Sequence, residues 1–146
     1  MDYFTQTCIV IGDRAVAPIY NEIFRYYEDF VLLDENAAPK IELISNKAIY
    51  AIEHMERRAL GGTFSVLERT GQFCFDGDEV NTDVVAELLQ LALRETKDSG
   101  VIAFQYAQSA SRAAVDAYGG GAFRVTRRSI REINTSEIIA KFMRTK

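Results

Sequence analysis

Hydrophobic and polar positions alternate in several short stretches of the chain, which is the pattern of half-buried β-strands. The predicted strands are Thr5–Ile11, Ile41–Ile44, Thr63–Arg69, Gln72–Asp76, Val101–Ala107 and Ala122–Thr126. Thr70-Gly71 has the length and composition of a two-residue turn, so the third and fourth of these strands are predicted to form a hairpin. Residues 127–133 are predicted to continue the last strand or to pair with it.

Apolar residues at spacings of three and four predict helices between these strands. One helix is predicted from Ala17 to Leu33, and a second follows Ser45 as N-cap and ends at Gly61-Gly62. A third begins at Asn81 or Thr82, with the clearest stripe in the chain: Val84, Val85, Leu88, Leu91 and Ala92. A short last helix is predicted to follow the start signal Asn134–Glu137.

The order of these elements indicates a fold class. The first elements run strand, helix, strand, strand, helix, strand, and a further hairpin and a terminal helix follow. This order predicts an α+β fold, an antiparallel sheet with helices on one face, with a ferredoxin-like βαββαβ core. No repeat or linker interrupts the pattern, so residues 1–146 are expected to form a single domain.

The composition and the N-terminal sequence indicate the class of protein and its expected location in the cell. The chain has 146 residues, 48% of them hydrophobic and 26% charged, as in ordinary soluble globular proteins. No apolar run is long enough to span a bilayer, and the first residues carry no basic flank before an apolar segment. We therefore expect a cytoplasmic protein of a prokaryotic cell or of something that replicates in one. Cys8 and Cys74 lie in strand-like stretches without metal-ligand spacing, and reduced, buried thiols are expected.

The net charge of −4 is unevenly distributed. Residues 1–100 contain 18 acidic and 9 basic side chains, whereas residues 101–146 contain 3 acidic and 8 basic ones. The basic end is expected either to bind a partner such as a phosphate, or to pack against the acidic body or a second copy of the chain. The negative total argues against a general nucleic-acid binder.

A run of three glycines in the stretch AYGGGAFRV leads into the strand at Ala122. Glycines allow a backbone to approach a ligand closely, so this loop could present N–H groups to an anion. The spacing matches neither a dinucleotide-binding nor a P-loop motif, because no helix follows. A tight turn or bulge at the entry to an edge strand is the alternative interpretation.

Five arginines surround this loop: Arg112, Arg124, Arg127, Arg128 and Arg131. A continuous strand would place Arg127 and Arg131 on one face, and Arg124 and Arg128 on the other. Guanidinium groups bind phosphates and carboxylates, although a charge-protected edge strand is an alternative explanation. The predicted ligand-binding residues are Ser109, Ser111, Arg112, Tyr118, Gly119, Gly120, Gly121, Arg124 and Arg128, and Gln105 adds an amide nearby.

Other candidate sites have weaker patterns. The acidic run 76–79 lacks the further ligands of a calcium loop, and His54 has no nucleophile or second histidine at a catalytic spacing. The aromatic stripe Tyr20, Tyr26, Tyr27 and Phe30 is typical of core or dimer packing. We therefore expect neither an enzyme nor a metal or cofactor.

The C-terminal third carries a recognisable pattern. A strand with FQYA precedes Ser111-Arg112, Tyr118 precedes GGGA, and Thr126 and the run Asn134–Ser136 follow. This pattern resembles a group of small bacteriophage and mobile-element proteins to which no activity is assigned. Tyr106 stands where that group is expected to have a tryptophan, and Ala113-Ala114 replace prolines. The resemblance implies a phage accessory gene acting in the host cytoplasm, a class that includes inhibitors of bacterial defence.

Two functions are consistent with these features. The first is a non-enzymatic binder of an anionic small molecule, such as a signalling nucleotide, with a homodimer interface as one location for the site. The alternative is a protein–protein inhibitor that docks an acidic surface on a host defence protein. That surface would use the carboxylates of Glu28, Asp29, Asp34 and Glu35, or those of Asp76 and Asp78.

Overall fold

The computed structural model describes residues 3–10, 15–32, 43–56, 58, 60–61, 63–67, 72–77, 80–110 and 119–144. The strands are β1 (Tyr3–Val10), β2 (Thr63–Leu67), β3 (Gln72–Gly77), β4 (Ile102–Ala110), β5 (Gly119–Val125) and β6 (Ile130–Asn134). The helices are α1 (Ala17–Leu32), α2 (Asn46–Glu53), α3 (Thr82–Glu95) and α4 (Thr135–Arg144). The predicted α+β class is confirmed. None of the described helices is long and apolar enough to cross a membrane.

The strands form one antiparallel sheet in the order β2-β3-β1-β4-β5-β6. β1 lies between β3 and β4, so the pairing joins strands that are far apart in sequence. The pairs β2–β3, β4–β5 and β5–β6 connect consecutive strands. The sheet therefore combines local pairs with two long-range pairings made by β1.

A core of apolar side chains lies between the helices and one face of the sheet. α1, α2 and α3 pack against one another and bury their apolar stripes. The largest fully buried side chains on α1 are Tyr20, Tyr26, Tyr27, Phe24 and Ile23, and those on α3 are Leu88, Leu89 and Leu93. Each fully buried side chain of this size contributes roughly 1.5–3 kcal/mol of hydrophobic stabilisation.

Strands β4 and β5 show the two-residue period of a half-buried sheet. Phe104, Tyr106, Phe123 and Val125 are buried, whereas the residues between them are exposed. Because directly paired residues share a face, the exposed residues of β4 and β5, together with their partners Arg131 and Ile133 on β6, lie on the face opposite the core. We call this surface the open face, defined by Ala103, Gln105, Ala107, Ala122, Arg124, Arg131 and Ile133.

Several element boundaries differ from those predicted. β5 begins at Gly119 instead of Ala122, so the three glycines belong to a paired strand and not to a loop. Leu43 and Ile44 form a bend where a strand was predicted. The turn predicted at Thr70-Gly71 lies outside the described residues.

The second helix is shorter than its apolar pattern suggests. α2 ends at Glu53, with His54 as C-cap, although the predicted helix continues to Gly61. The following backbone is tied to α1 instead, because the Tyr27 hydroxyl donates to the carbonyl of Arg58 at 2.6 Å. The Arg58 amide in turn donates to the same hydroxyl at 3.2 Å, and these tertiary contacts override local helix propensity.

Candidate functional site

A four-residue turn joins β5 to β6 and sets the geometry of the open face. The Thr126 amide donates to the carbonyl of Ser129 at 2.9 Å, and the Thr126 hydroxyl oxygen accepts from the Ser129 amide at 3.0 Å. The same oxygen accepts from the Arg128 amide at 3.2 Å. A single threonine side chain thus closes the hairpin and places Arg127 and Arg128 in the turn.

The hairpin brings Arg124 and Arg131 directly opposite each other, as Cα partners on neighbouring strands. The predicted separation of these two arginines onto opposite faces is therefore wrong. The prediction assumed one continuous strand, whereas the turn reverses the chain and cross-strand pairing decides which residues share a face. Both side chains are exposed, and Arg128 lies outside the paired strands.

The two arginines share their face with no acidic residue of the neighbouring strands. Glu132 is the only acidic residue in β4, β5 and β6, and its carboxylate accepts from the Tyr106 hydroxyl at 2.7 Å on the core side. Within the described part of the chain, neither Arg124 nor Arg131 forms an ion pair. Like charges directly opposite on a sheet destabilise it, by roughly 0.2–1 kcal/mol for one pair.

The Tyr106–Glu132 hydrogen bond keeps this carboxylate away from the open face. Burial raises the pKa of Tyr106, and the hydrogen bond to Glu132 and the nearby negative charges raise it further. Tyr106 therefore stays protonated and acts as the donor. The bond links β4 to β6 across β5, and it holds the carboxylate on the opposite side of the sheet from both guanidinium groups.

Small side chains surround the arginine pair. Arg124 is the partner of Ala103 on β4, and the adjacent open-face position pairs Gln105 with Ala122. Ala122 also pairs with Ile133 on β6, whose side chain is 57% exposed. The resulting surface has an arginine pair at one register position and an amide-bearing side chain at the next one on the same face. Such a surface suits a ligand that lies along the sheet.

The glycines are held close to their neighbouring strands. A Cβ atom at Gly120 would collide with the Tyr106 carbonyl oxygen, and one at Gly121 would lie 2.5 Å from the Ile133 carbonyl oxygen. The Gly120 amide donates to the Thr135 hydroxyl at 3.2 Å. Close packing of β5 between β4 and β6 explains these two glycines, and the Gly120 amide is already bonded within the protein.

The other predicted site residues fall in different places. Ser109 lies in β4, where its Cα partner is Phe4 on β1, and Gly119 pairs with Gln108. Ser111, Arg112 and Tyr118 lie outside the described residues. The structure adds Arg131 to the candidate site, a residue that the single-strand interpretation placed on the wrong face. The signal that could have identified it is the Thr126–Ser129 stretch, whose hydroxyl groups are typical of a turn.

The described residues form neither a metal site nor a catalytic arrangement around His54. No group of three potential metal ligands occurs there, and Asp78 and Glu79 of the acidic run lie outside those ranges. The His54 Nδ1 lies 2.8 Å from the Tyr50 carbonyl oxygen at the end of α2. The aromatic stripe of α1 is buried in the core, as one of its two interpretations predicted.

The strands that build this site lie in the C-terminal third, for which the sequence predicts a resemblance to phage and mobile-element proteins. No family model, curated protein or solved structure matches the chain. The resemblance therefore stays a prediction.

Proposed function

We propose that the protein is a non-enzymatic binding protein whose open face binds a phosphate-bearing small molecule, such as a signalling nucleotide. One observation carries the proposal: Arg124 and Arg131 are exposed and directly opposed, and no carboxylate of β4, β5 or β6 shares their face. An anion between the two guanidinium groups would relieve their mutual repulsion. It would also gain charge-assisted, bidentate hydrogen bonds.

Protection of a sheet edge is a weaker explanation of the same residues. Charged side chains on an edge strand prevent pairing between molecules, and Arg131 on β6 fits that role within the described sheet. Arg124 does not, because β5 is paired on both sides. A charge placed on an inner strand opposite a like charge weakens the sheet without protecting an edge. Ligand binding accounts for both arginines together.

The spacing of the pair suits a phosphate. Directly opposed residues of antiparallel strands have Cα atoms about 4.5–5.5 Å apart, so two long guanidinium side chains can converge on one tetrahedral anion. The alanines nearby leave room for the rest of the ligand along the sheet. We expect the affinity to decrease with ionic strength, because the interaction is between exposed charges.

A thermal-shift panel tests this function with cyclic and linear nucleotides, pyrophosphate and inorganic phosphate as probes. A ligand present at a hundred times its dissociation constant should add about 2.7 kcal/mol to the free energy of unfolding. We expect Arg124→Gln and Arg131→Gln to abolish this stabilisation. Without ligand, each substitution should leave the protein as stable as the wild type or slightly more stable, because it removes the repulsion.

Arg25→Gln is the matched control, because Arg25 is an exposed arginine on α1 and its replacement changes the net charge equally. This variant should respond to the ligand as the wild type does. An absence of stabilisation across the panel would argue against the proposal, as would an equal loss in all three variants. Aggregation of Arg131→Gln with no ligand effect would favour edge protection.

The alternative function, inhibition of a host defence protein through an acidic surface, receives less support. Of the residues proposed for that surface, Glu28 and Asp29 on α1 are only half-exposed. If the alternative is right, reversal of these two charges should abolish inhibition of the host protein. If the proposed function is right, the same substitutions should leave nucleotide binding unchanged. An accessory role in a phage or mobile element is compatible with either function.

We further propose that the first four strands with their helices form a ferredoxin-like sandwich, to which β5, β6 and α4 are added. The sheet order β2-β3-β1-β4 and its antiparallel pairings support this assignment. In such a sandwich the helices cover one face, and the other face is available for ligands. The open face would then be a C-terminal extension of that surface.

A further inference from the structure

The two cysteines of the chain are direct partners in the sheet. Cys8 lies in β1 and Cys74 in β3, and the antiparallel register of these strands places their Cα atoms opposite each other. The chain contains no other cysteine. The two positions are far apart in sequence, so only the long-range pairing of β1 with β3 brings them together.

Both cysteines lie on the face of the sheet opposite the core. Residues alternate between the two faces along a strand, and Ile9, which follows Cys8, is buried in the core. A residue and its direct cross-strand partner share a face, so Cys74 lies on the same face as Cys8. The native register therefore holds the two cysteines side by side, with no change in strand order.

Direct partners on antiparallel strands are close enough for a disulfide. Their Cα atoms are about 4.5–5.5 Å apart, and disulfides join Cα atoms that are about 4.4–6.8 Å apart. The Cβ atoms of direct partners are about 4.5–5.5 Å apart, whereas those of a disulfide are about 3.5–4.5 Å apart, so the two strands must approach slightly when the bond forms. A disulfide under such strain is easier to reduce than a relaxed structural one.

We propose that Cys8 and Cys74 form a reversible dithiol–disulfide site, oxidised by a small-molecule disulfide such as oxidised glutathione. The thiolate of one cysteine attacks a sulfur of the small disulfide and displaces one small thiolate, which leaves a mixed disulfide on the protein. The thiolate of the other cysteine attacks the protein sulfur of that mixed disulfide and displaces the second small thiolate. The pair loses two electrons and two protons, and the small disulfide is reduced to two thiols.

The bond fixes β1 to one of its two neighbours. β1 makes both long-range pairings of the sheet, with β3 and with β4, and oxidation joins it covalently to β3. The closed loop contains α1, α2 and β2, and a cross-link that closes a long loop lowers the entropy of the unfolded chain. Oxidation should therefore stabilise the fold. The site lies on β1 and β3 and the arginine pair on β5 and β6, so oxidation and ligand binding are measured independently.

Equilibration of the full chain in glutathione buffers of increasing oxidised fraction tests the proposal, with acid quenching, mass spectrometry and peptide mapping as readouts. We expect one protein species that has lost two hydrogen atoms, in which the peptides containing Cys8 and Cys74 are joined within a single chain. Excess reduced glutathione should restore the dithiol completely. The oxidised protein should have a higher urea midpoint of unfolding than the reduced one.

Cys74→Ser combined with Gln72→Cys is the matched control, because it keeps two cysteines on the same two strands and the same face. The relocated cysteine is diagonal to Cys8, about 7–8 Å away, which is too far for a disulfide without backbone movement. The equilibrium constant for its oxidation by glutathione should be at least about tenfold smaller than that of the wild type.

Three outcomes would overturn the proposal. The first is a wild-type protein that carries glutathione on its cysteines and forms no bond between Cys8 and Cys74. The second is equal oxidation of the wild type and the matched control, because the register would then not matter. The third is a disulfide that leaves the urea midpoint unchanged or lowers it, because the native sheet would then not accommodate the bond.

Discussion

Tyr26 links α1 to α2 through a single polar contact at the margin of an apolar core. Its ring is buried, and its hydroxyl donates to Glu53 Oε1 at 2.6 Å. Burial, followed by the hydrogen bond to Glu53, raises the pKa of Tyr26 to about 12. The tyrosine therefore acts as a neutral donor at physiological pH, and the packing of its ring and the bond of its hydroxyl stabilise the same helix pair.

Tyr26→Phe should lower the free energy of unfolding by about 1 kcal/mol at pH 8, because it removes one hydrogen bond and leaves the ring in place. The unfolded tyrosine ionises near pH 10.0 and the folded one near pH 12, so this residue contributes less stability as the pH rises through that interval. Urea unfolding at both ends of the range measures the difference. Tyr50→Phe is the control, since Tyr50 is 63% exposed; an equal loss in both variants would contradict the assignment.

Burial disfavours the charged form of Glu28 on α1 as it does that of Tyr26, but for a carboxyl the charged form is the one that neutral pH favours. Burial raises the pKa of Glu28, the charge of Asp29 raises it further, and Arg25 lowers it. A carboxyl with a raised folded pKa is stabilising only while protonated, so its ionisation at neutral pH reduces stability. This cost disappears as the pH falls below the ordinary value of 4.5.

We therefore expect Glu28→Gln to raise the urea midpoint of unfolding at pH 7, and the gain to vanish below pH 4.5. Arg25→Gln should shift the midpoint in the opposite direction at pH 7, since it removes the charge that favours ionised Glu28. A gain in Glu28→Gln that is the same at pH 7 and pH 4 would show that this carboxylate is not destabilised by the fold.

At the scale of elements, β5 is where close packing constrains the sequence most. Gly120 and Gly121 lie between two strands at positions where a Cβ atom would meet backbone or the Tyr106 ring. Gly120→Ala and Gly121→Ala should each cost about 1–3 kcal/mol, because the neighbouring strands must move. Urea denaturation of the purified variants measures this cost.

Gly100→Ala is the comparison for these glycines. The nearest atom to its added Cβ would be Asp98 Oδ1 at 2.9 Å, which belongs to an exposed side chain that can move. We expect a change well below 1 kcal/mol, since a glycine replaced without strain is close to neutral or slightly stabilising. If Gly121→Ala were as mild as Gly100→Ala, β5 would not be packed as closely as described.

The sequence predicts the boundaries of an element well where its apolar residues follow a single clear period, helical or strand-like. The stripe of α3 predicted that helix well, because Val84, Val85 and Leu88 are all buried at helical spacing. The sequence does not predict the start of β5, because its glycines have no side chains that could show an alternation of apolar and polar positions. These residues are recognised as a strand only by their pairing with β4 and β6. The arginine pair was missed for a related reason: the turn at Thr126–Ser129 changes which residues share a face.

At the scale of the whole molecule, three neighbouring strands of the sheet carry basic side chains and a single acidic one. Strands β4, β5 and β6 come from the basic C-terminal third, and their one acidic residue, Glu132, is bonded on the core side. The fold class was predictable from the order of elements. The position of β1 between β3 and β4 depends on long-range pairing that periodicity does not encode.

An NMR titration with the nucleotide that stabilises the protein most tests the central claim, binding at the open face. Shifts of backbone amide and arginine Nε–Hε signals would be followed. We predict that the Nε–Hε signals of Arg124 and Arg131 move together, with the amides of β5 and β6, while the Nε–Hε signal of Arg94 stays in place. Arg94 is suitable as the internal reference because its Nε already donates to the Arg127 carbonyl at 2.9 Å. Saturable shifts confined to other surfaces, with the signals of Arg124 and Arg131 unchanged, would contradict the claim.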